Sequence, residues 1–139
     1  MPLRILCVCS GNTCRSPMLE EFLLKRLDER GIDADVESTG VHVSARRHKM
    51  PSGPTIACMR RRGIDIREHR SRHIDTIDFF QFDIIIAMMT WIKEDVEKRG
   101  YTGPLIVADI SNPASSRPQD YEVCAKQLEQ FAEEIVSAL

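Results

Sequence analysis

With 139 residues, 42% of them hydrophobic and 29% charged, the chain is sized for one domain, spanning residues 1–139, with a real core. Its formal net charge of −2 removes any general electrostatic reason to expect nucleic acid or an anionic membrane as partner. No apolar stretch approaches the ~18 residues of a membrane helix. The start, Met1-Pro2-Leu3-Arg4, runs into an apolar segment without the pattern of a secretion signal, and the five cysteines follow no disulfide framework. A reducing cytoplasm is the expected setting.

Residues 3–8 form a nearly continuous apolar run and read as a buried parallel strand. Next comes Cys9-Ser10-Gly11-Asn12-Thr13-Cys14-Arg15-Ser16, followed by Pro17 and an amphipathic run. A strand that feeds a short loop into a helix N-terminus makes an anion site, because backbone N–H groups and the helix dipole converge there. Cys9 stands at the start of that loop as a candidate nucleophile, in a field that favours the reactive thiolate. Arg15, six residues on, offers a planar fork that matches two phosphate oxygens. Gly11 permits close backbone approach, and Asn12 tolerates a left-handed conformation. Ser16 reads as the N-cap of the helix, with Pro17 at its first position and Glu20 and Glu21 in its first turn.

The first helix is predicted over 17–30, with Leu19, Phe22, Leu23 and Leu27 as its apolar stripe and Gly31 as C-cap. A second strand is expected at 34–38. A polar, basic loop over 39–53 follows, carrying His42, Arg46, Arg47 and His48. Loops at the carboxyl ends of strands face the ligand in open α/β sheets, so this cluster is either on the ligand side or part of a solvated loop. A helix over 54–63 ends in Arg60-Arg61-Arg62, which reads as a solvated face. The third strand is expected at 84–88, and Thr90 should cap a helix over 91–99 closed by Gly100. Trp91 reads as a packing residue. A fourth strand at 105–108 precedes a last helix over 118–139, with Tyr121, Cys124, Leu128, Phe131 and Ile135 on one face. Alternating strands and helices with short connections imply a parallel sheet with helices on both faces, a three-layer α/β arrangement.

The run VCSGNTCRSPMLEEFL resembles the phosphate-binding loop of the low-molecular-weight protein-tyrosine phosphatase family, which includes bacterial protein-arginine phosphatases and thioredoxin-coupled arsenate reductases. The resemblance continues through Ser38-Thr39-Gly40, Arg62-Gly63-Ile64-Asp65, His69-Arg70-Ser71-Arg72, residues 83–88 and residues 109–122. It implies a four-stranded parallel sheet in the order 2-1-3-4. It also implies a cysteine-dependent phosphatase that acts on phosphotyrosine or phosphoarginine of proteins through a phosphocysteine intermediate. Cys9 would be the nucleophile, and Ser10, Gly11, Asn12, Thr13, Cys14, Arg15 and Ser16 would hold the phosphoryl group. Asn12 would be supported by Ser38 and His69. Cys14 would form a reversible disulfide with Cys9, sparing it from further oxidation. No cofactor and no metal is implied; Cys7, Cys9, Cys14 and a histidine lack zinc spacing. Thr13 stands where the arginine-phosphatase branch usually has Thr, which leans towards phosphoarginine. A phosphorylated protein is the expected partner, and a monomer is the favoured state.

One departure matters. The family's general acid is an Asp before a Pro after strand four; here Asn112 precedes Pro113. A carboxamide transfers no proton, and general acid catalysis typically contributes ~10²–10⁴-fold. Ala114 stands where an aromatic residue usually helps hold a phosphotyrosine ring. Asp109 is the candidate substitute acid, although it lies ~10 Å away along extended chain; Asp120 needs a similar rearrangement. Two rival readings follow from the same residues. An arsenate reductase would need further cysteines near strand three, and residues 83–99 contain none. A catalytically impaired phosphoprotein-binding module is consistent with Asn112.

Overall fold

The computed structural model describes residues 2–113 and 117–139. Their order is β1 (Leu3–Cys9), α1 (Arg15–Glu29), β2 (Ala34–Gly40), a 3₁₀ turn at Val43–Arg47, and α2 (Gly53–Arg60). Short 3₁₀ turns at Ile74–Thr76 and Phe79–Gln81, β3 (Ile84–Ala87), α3 (Thr90–Lys98), β4 (Leu105–Val107) and α4 (Pro118–Ser137) complete it. All strand pairs are parallel and the sheet order is β2-β1-β3-β4, the expected 2-1-3-4.

β1 is central, and Ile5, Leu6, Cys7 and Val8 are wholly buried, which is why this strand reads as an unbroken apolar run rather than an alternation. From β1 the chain moves to β2 on one side, then returns across the sheet to β3 and β4. Right-handed crossovers therefore put α1 and α3 on opposite faces. The reversal leaves a crevice beyond the carboxyl end of β1, the place where open α/β sheets bind ligands. α1 packs on α4, β1 and β2, and α3 packs on β3 and β4.

Local chemistry explains the boundaries. α1 ends in a Schellman turn: Gly31 has φ +65°, its N–H reaches Asp28 O at 3.0 Å, and Ile32 N–H reaches Leu27 O at 2.9 Å. Its start differs from the prediction. The helix begins at Arg15 with Cys14 as N-cap residue, so Ser16 is interior and caps nothing. Glu20 and Glu21 accordingly lie in the second turn. Thr90 likewise opens α3 instead of capping it.

Two side-chain expectations are corrected. Arg62 is not solvated: its side chain is only 17% exposed, and it donates to Glu122 Oε2 at 2.7 Å and Glu129 Oε1 at 2.8 Å, tying the end of α2 to α4. A guanidinium fork suits such a two-carboxylate bridge. Trp91 is 50% exposed and packs into no core.

Candidate active site

The loop between β1 and α1 is held by one buried residue. Asn12 is wholly buried with φ 59°, the left-handed conformation its side chain tolerates. Its Nδ2 donates to Ser16 Oγ at 2.8 Å and to Ser38 Oγ at 3.0 Å. Its Oδ1 accepts the backbone N–H of Arg72 at 2.9 Å, and its carbonyl oxygen pairs with His69 Nε2 at 2.9 Å. Ser38 and His69 thus both meet Asn12, but Ser38 lies within β2 and His69 bonds the main chain. Arg72, to which the sequence assigns no role, bonds the carboxamide through its backbone N–H. Burial lowers the His69 pKa against the opposing effect of the Asn12 carbonyl, so a neutral ring whose Nε2–H donates to that carbonyl fits the site. Beneath Ser38, burial pushes the Glu20 carboxyl up to about 7, and its hydrogen bond with Ser38 opposes that rise.

β2 closes against the loop at Gly40. A Cβ there would sit 2.5 Å from Ser10 O and 2.9 Å from the Ala45 Cβ, so no side chain fits. This contact sets Ser10 and Cys9 at the mouth of the crevice.

Cys9 is 2% exposed, with Sγ 2.9 Å from Ser16 Oγ and 3.2 Å from the N–H of Asn12. Ser16 Oγ already accepts from Asn12, so its own proton points to the sulfur, which is nearer than Thr39 O at 3.4 Å. Two donors on one sulfur is an arrangement that suits a thiolate. Arg15 is 3% exposed and donates through one nitrogen to Ile110 O at 2.9 Å, anchoring its guanidinium to the segment after β4.

Residues Cys9 to Arg15 line a pocket of about 210 Å³ together with Ser44, Ser52, Asn112 and Tyr121. Ser44 and Ser52 belong to the loop after β2 that the sequence sets on the ligand side, although neither serine carries a signal of its own. The His42 ring accepts the Ser44 N–H at 3.1 Å and caps the 3₁₀ turn that carries Ser44 to the pocket. Ser52 donates its N–H to Thr13 O at 3.1 Å, joining the start of α2 to the loop. Tyr121 reaches the pocket from the buried face of α4. The basic cluster of the β2 loop does not line the pocket: Arg46 pairs with Asp75 at 2.6 Å, and Arg47 and His48 are exposed.

Asn112 is exposed at the pocket rim. Asp109, at φ 58°, instead borders two clefts beside α4, one of them shared with Asp120, which caps the first turn of α4 by accepting the Arg117 N–H at 3.1 Å. Ala114 lies outside the described residues. All five cysteines are free, and the Cys14 thiol sits close enough to Cys124 of α4 to push its own pKa up. Among the described residues no cluster of His, Cys, Asp or Glu is arranged to hold a metal ion, and no helix is long and apolar enough to cross a membrane.

A loop joining the central strand to a helix, with a cysteine at one end and a buried arginine at the other, gives this α/β protein a small polar pocket at the carboxyl end of that strand. Residues 4–139 match the model of the family "Low molecular weight phosphotyrosine protein phosphatase", and the chain belongs to that family. The phosphatase of that name from Schizosaccharomyces pombe is 35% identical over 92 residues, 62% of this chain and 56% of that protein. The match thus spans little more than half of that relative's length. The low molecular weight protein tyrosine phosphatase from T. tengcongensis superposes with TM-score 0.90 at 25% identity, covering 99% of both chains. The YwlE arginine phosphatase from Geobacillus stearothermophilus shares the fold, with TM-score 0.82 at 22% identity over 99% of this chain and 92% of that one.

Proposed function

We propose that the chain is a cysteine-dependent protein phosphatase acting on phosphotyrosine or phosphoarginine. The observation that carries this reading is the pairing of two hydrogen bonds on Cys9 Sγ with a buried Arg15 in one small pocket. Cys9 attacks phosphorus, and the P–O or P–N bond to the substrate breaks as the S–P bond forms. Backbone N–H groups of residues 10–15 and the Arg15 guanidinium hold the phosphoryl oxygens, a preorganised field that is strongest for the transition state. Water then cleaves the phosphocysteine, and Ser16 stabilises the departing thiolate.

The pocket offers hydroxyls from Thr13, Ser44 and Ser52, the carboxamide of Asn112, and the ring of Tyr121. That polar lining suits a phosphoguanidinium more than an aromatic ring, and the family holds arginine phosphatases of the same fold. Asn112 contacts the leaving group without protonating it, so turnover is slow on poor leaving groups. The reading sets the protein in the cytoplasm as a monomer that uses no cofactor. A second reading draws on Asn112 alone: a module that binds phosphoproteins without hydrolysing them.

A turnover panel tests both. Phosphate release from phosphoarginine and phosphotyrosine, with no arsenate reduction in the presence of thiols, supports the phosphatase. Binding of both phosphorylated residues without release would replace it with the binding module.

A further inference from the structure

Cys14 stands at the start of α1, and Cys124 lies on the buried face of α4, the helix that packs against α1. Both are buried, at 6% and 3% exposure, and each is the foremost influence on the other's titration, which makes the two thiols neighbours. Tyr121, one turn before Cys124 on the same face, lines the pocket together with Cys9 and Cys14. Cys124 borders a separate cleft of about 280 Å³ that Asn112 and Asp120 also line. The thiol pair therefore spans from the pocket to an outer cleft.

We propose that Cys14 and Cys124 form a disulfide site that takes over an oxidation begun at Cys9 and releases Cys9 as a free thiolate. The inference rests on Cys9 being the pocket's nucleophile.

The chemistry balances with peroxide as oxidant. Cys9 thiolate takes one oxygen from peroxide and becomes a sulfenic acid, leaving hydroxide that is protonated to water. The Cys14 sulfur attacks the Cys9 sulfur; an S–S bond forms, the S–O bond breaks, and hydroxide leaves with the Cys14 proton as a second water. Cys124 thiolate then attacks the Cys14 sulfur. The Cys14–Cys124 bond forms, the Cys9–Cys14 bond breaks, and the electron pair leaves on Cys9, where Ser16 and the Asn12 N–H receive it. The net change is one peroxide reduced to two waters and two thiols oxidised to a disulfide. The hydrogen bond with Cys14 and the nearby Arg15 charge both lower the Cys124 pKa, against burial, which supports Cys124 as the attacking thiolate. An external thiol can regenerate the pair from the outer cleft.

The test treats the wild-type protein with one equivalent of hydrogen peroxide, blocks free thiols with N-ethylmaleimide, and maps disulfides by non-reducing peptide mass spectrometry. The expected product is Cys14–Cys124, with most Cys9 carrying maleimide. A main product of Cys9–Cys14 with maleimide on Cys124, or Cys9 ending as sulfinic acid, overturns the proposal. Cys124→Ser should keep basal turnover but stop at Cys9–Cys14 after peroxide, losing activity until a thiol is added; unchanged peroxide tolerance would count against the site. Cys9→Ser separates the two claims. Retained turnover there removes Cys9 as nucleophile, whereas equally fast Cys14–Cys124 formation there shows that the pair oxidises without any transfer from Cys9.

Discussion

Ser16 Oγ lies 2.9 Å from Cys9 Sγ while accepting a hydrogen from Asn12 Nδ2 at 2.8 Å. The hydroxyl thus relays a fixed donor to the sulfur, and its position one residue inside α1 is what spends it there. Ser16→Ala removes one donor to a charged group, worth about 1.5–3 kcal/mol. Turnover should fall roughly ten- to a hundredfold, and stability by about 1–3 kcal/mol because a buried Asn12 Nδ2 hydrogen loses its acceptor, when steady-state rates and urea midpoints are measured together.

Asn12 makes three side-chain hydrogen bonds in a wholly buried position. Asn12→Ala leaves the Arg72 N–H without its acceptor and keeps a side chain at positive φ without local compensation. The loss should be about 2–4 kcal/mol. Urea unfolding should show a lower midpoint at constant slope, and phosphate affinity should fall with it.

Glu20 supplies a pH dependence. Its folded value of about 7 lies above the ordinary 4.5, chiefly from burial. The native state therefore binds more protons than the unfolded chain between those values, and stability declines as pH rises through that window. The contribution is on the order of 3 kcal/mol. Glu20→Gln keeps an acceptor for Ser38 without the charge, so the variant should be the more stable protein at pH 8 and should flatten the decline between pH 5 and 8. A thermal unfolding series across that range checks it.

Asn112 lines the pocket and Asp109 does not. Asn112→Asp should raise turnover on poor leaving groups by ~10²–10⁴-fold, and acidic phenol esters should gain less. Asp109→Asn should leave turnover within a fewfold of wild type. If the first change is silent and the second abolishes activity, Asp109 is the acid.

Much of the frame was legible because it follows from local pattern. The apolar run of β1 needs both faces buried, Gly31 ends α1 as its position suggests, and the Gly-Asn pair marks a loop that turns left-handed at Asn12. What escaped the sequence depends on distant chain. Ser16 reads as a cap because capping rules see only neighbours, yet Cys9 and Asn12 claim its hydroxyl first. Arg62 reads as solvated because Glu122 and Glu129 meet it only once α4 packs on α2. Ser44 and Ser52 are ordinary loop serines until the 3₁₀ turn and the start of α2 bring them to the pocket. Cys124 reads as one apolar position on a helix face, and only the contact of α1 with α4 pairs it with Cys14.

The most direct test of the account is rapid-quench analysis of the wild-type protein mixed with an aryl phosphate, followed by peptide mass spectrometry. The account predicts a burst of about one equivalent of phenol and a phosphoryl group on the peptide bearing Cys9, with slower release of phosphate afterwards, because Asn112 cannot activate the attacking water. Phosphate release without a burst and without any phosphorylated Cys9 peptide, persisting in Cys9→Ser, would contradict it.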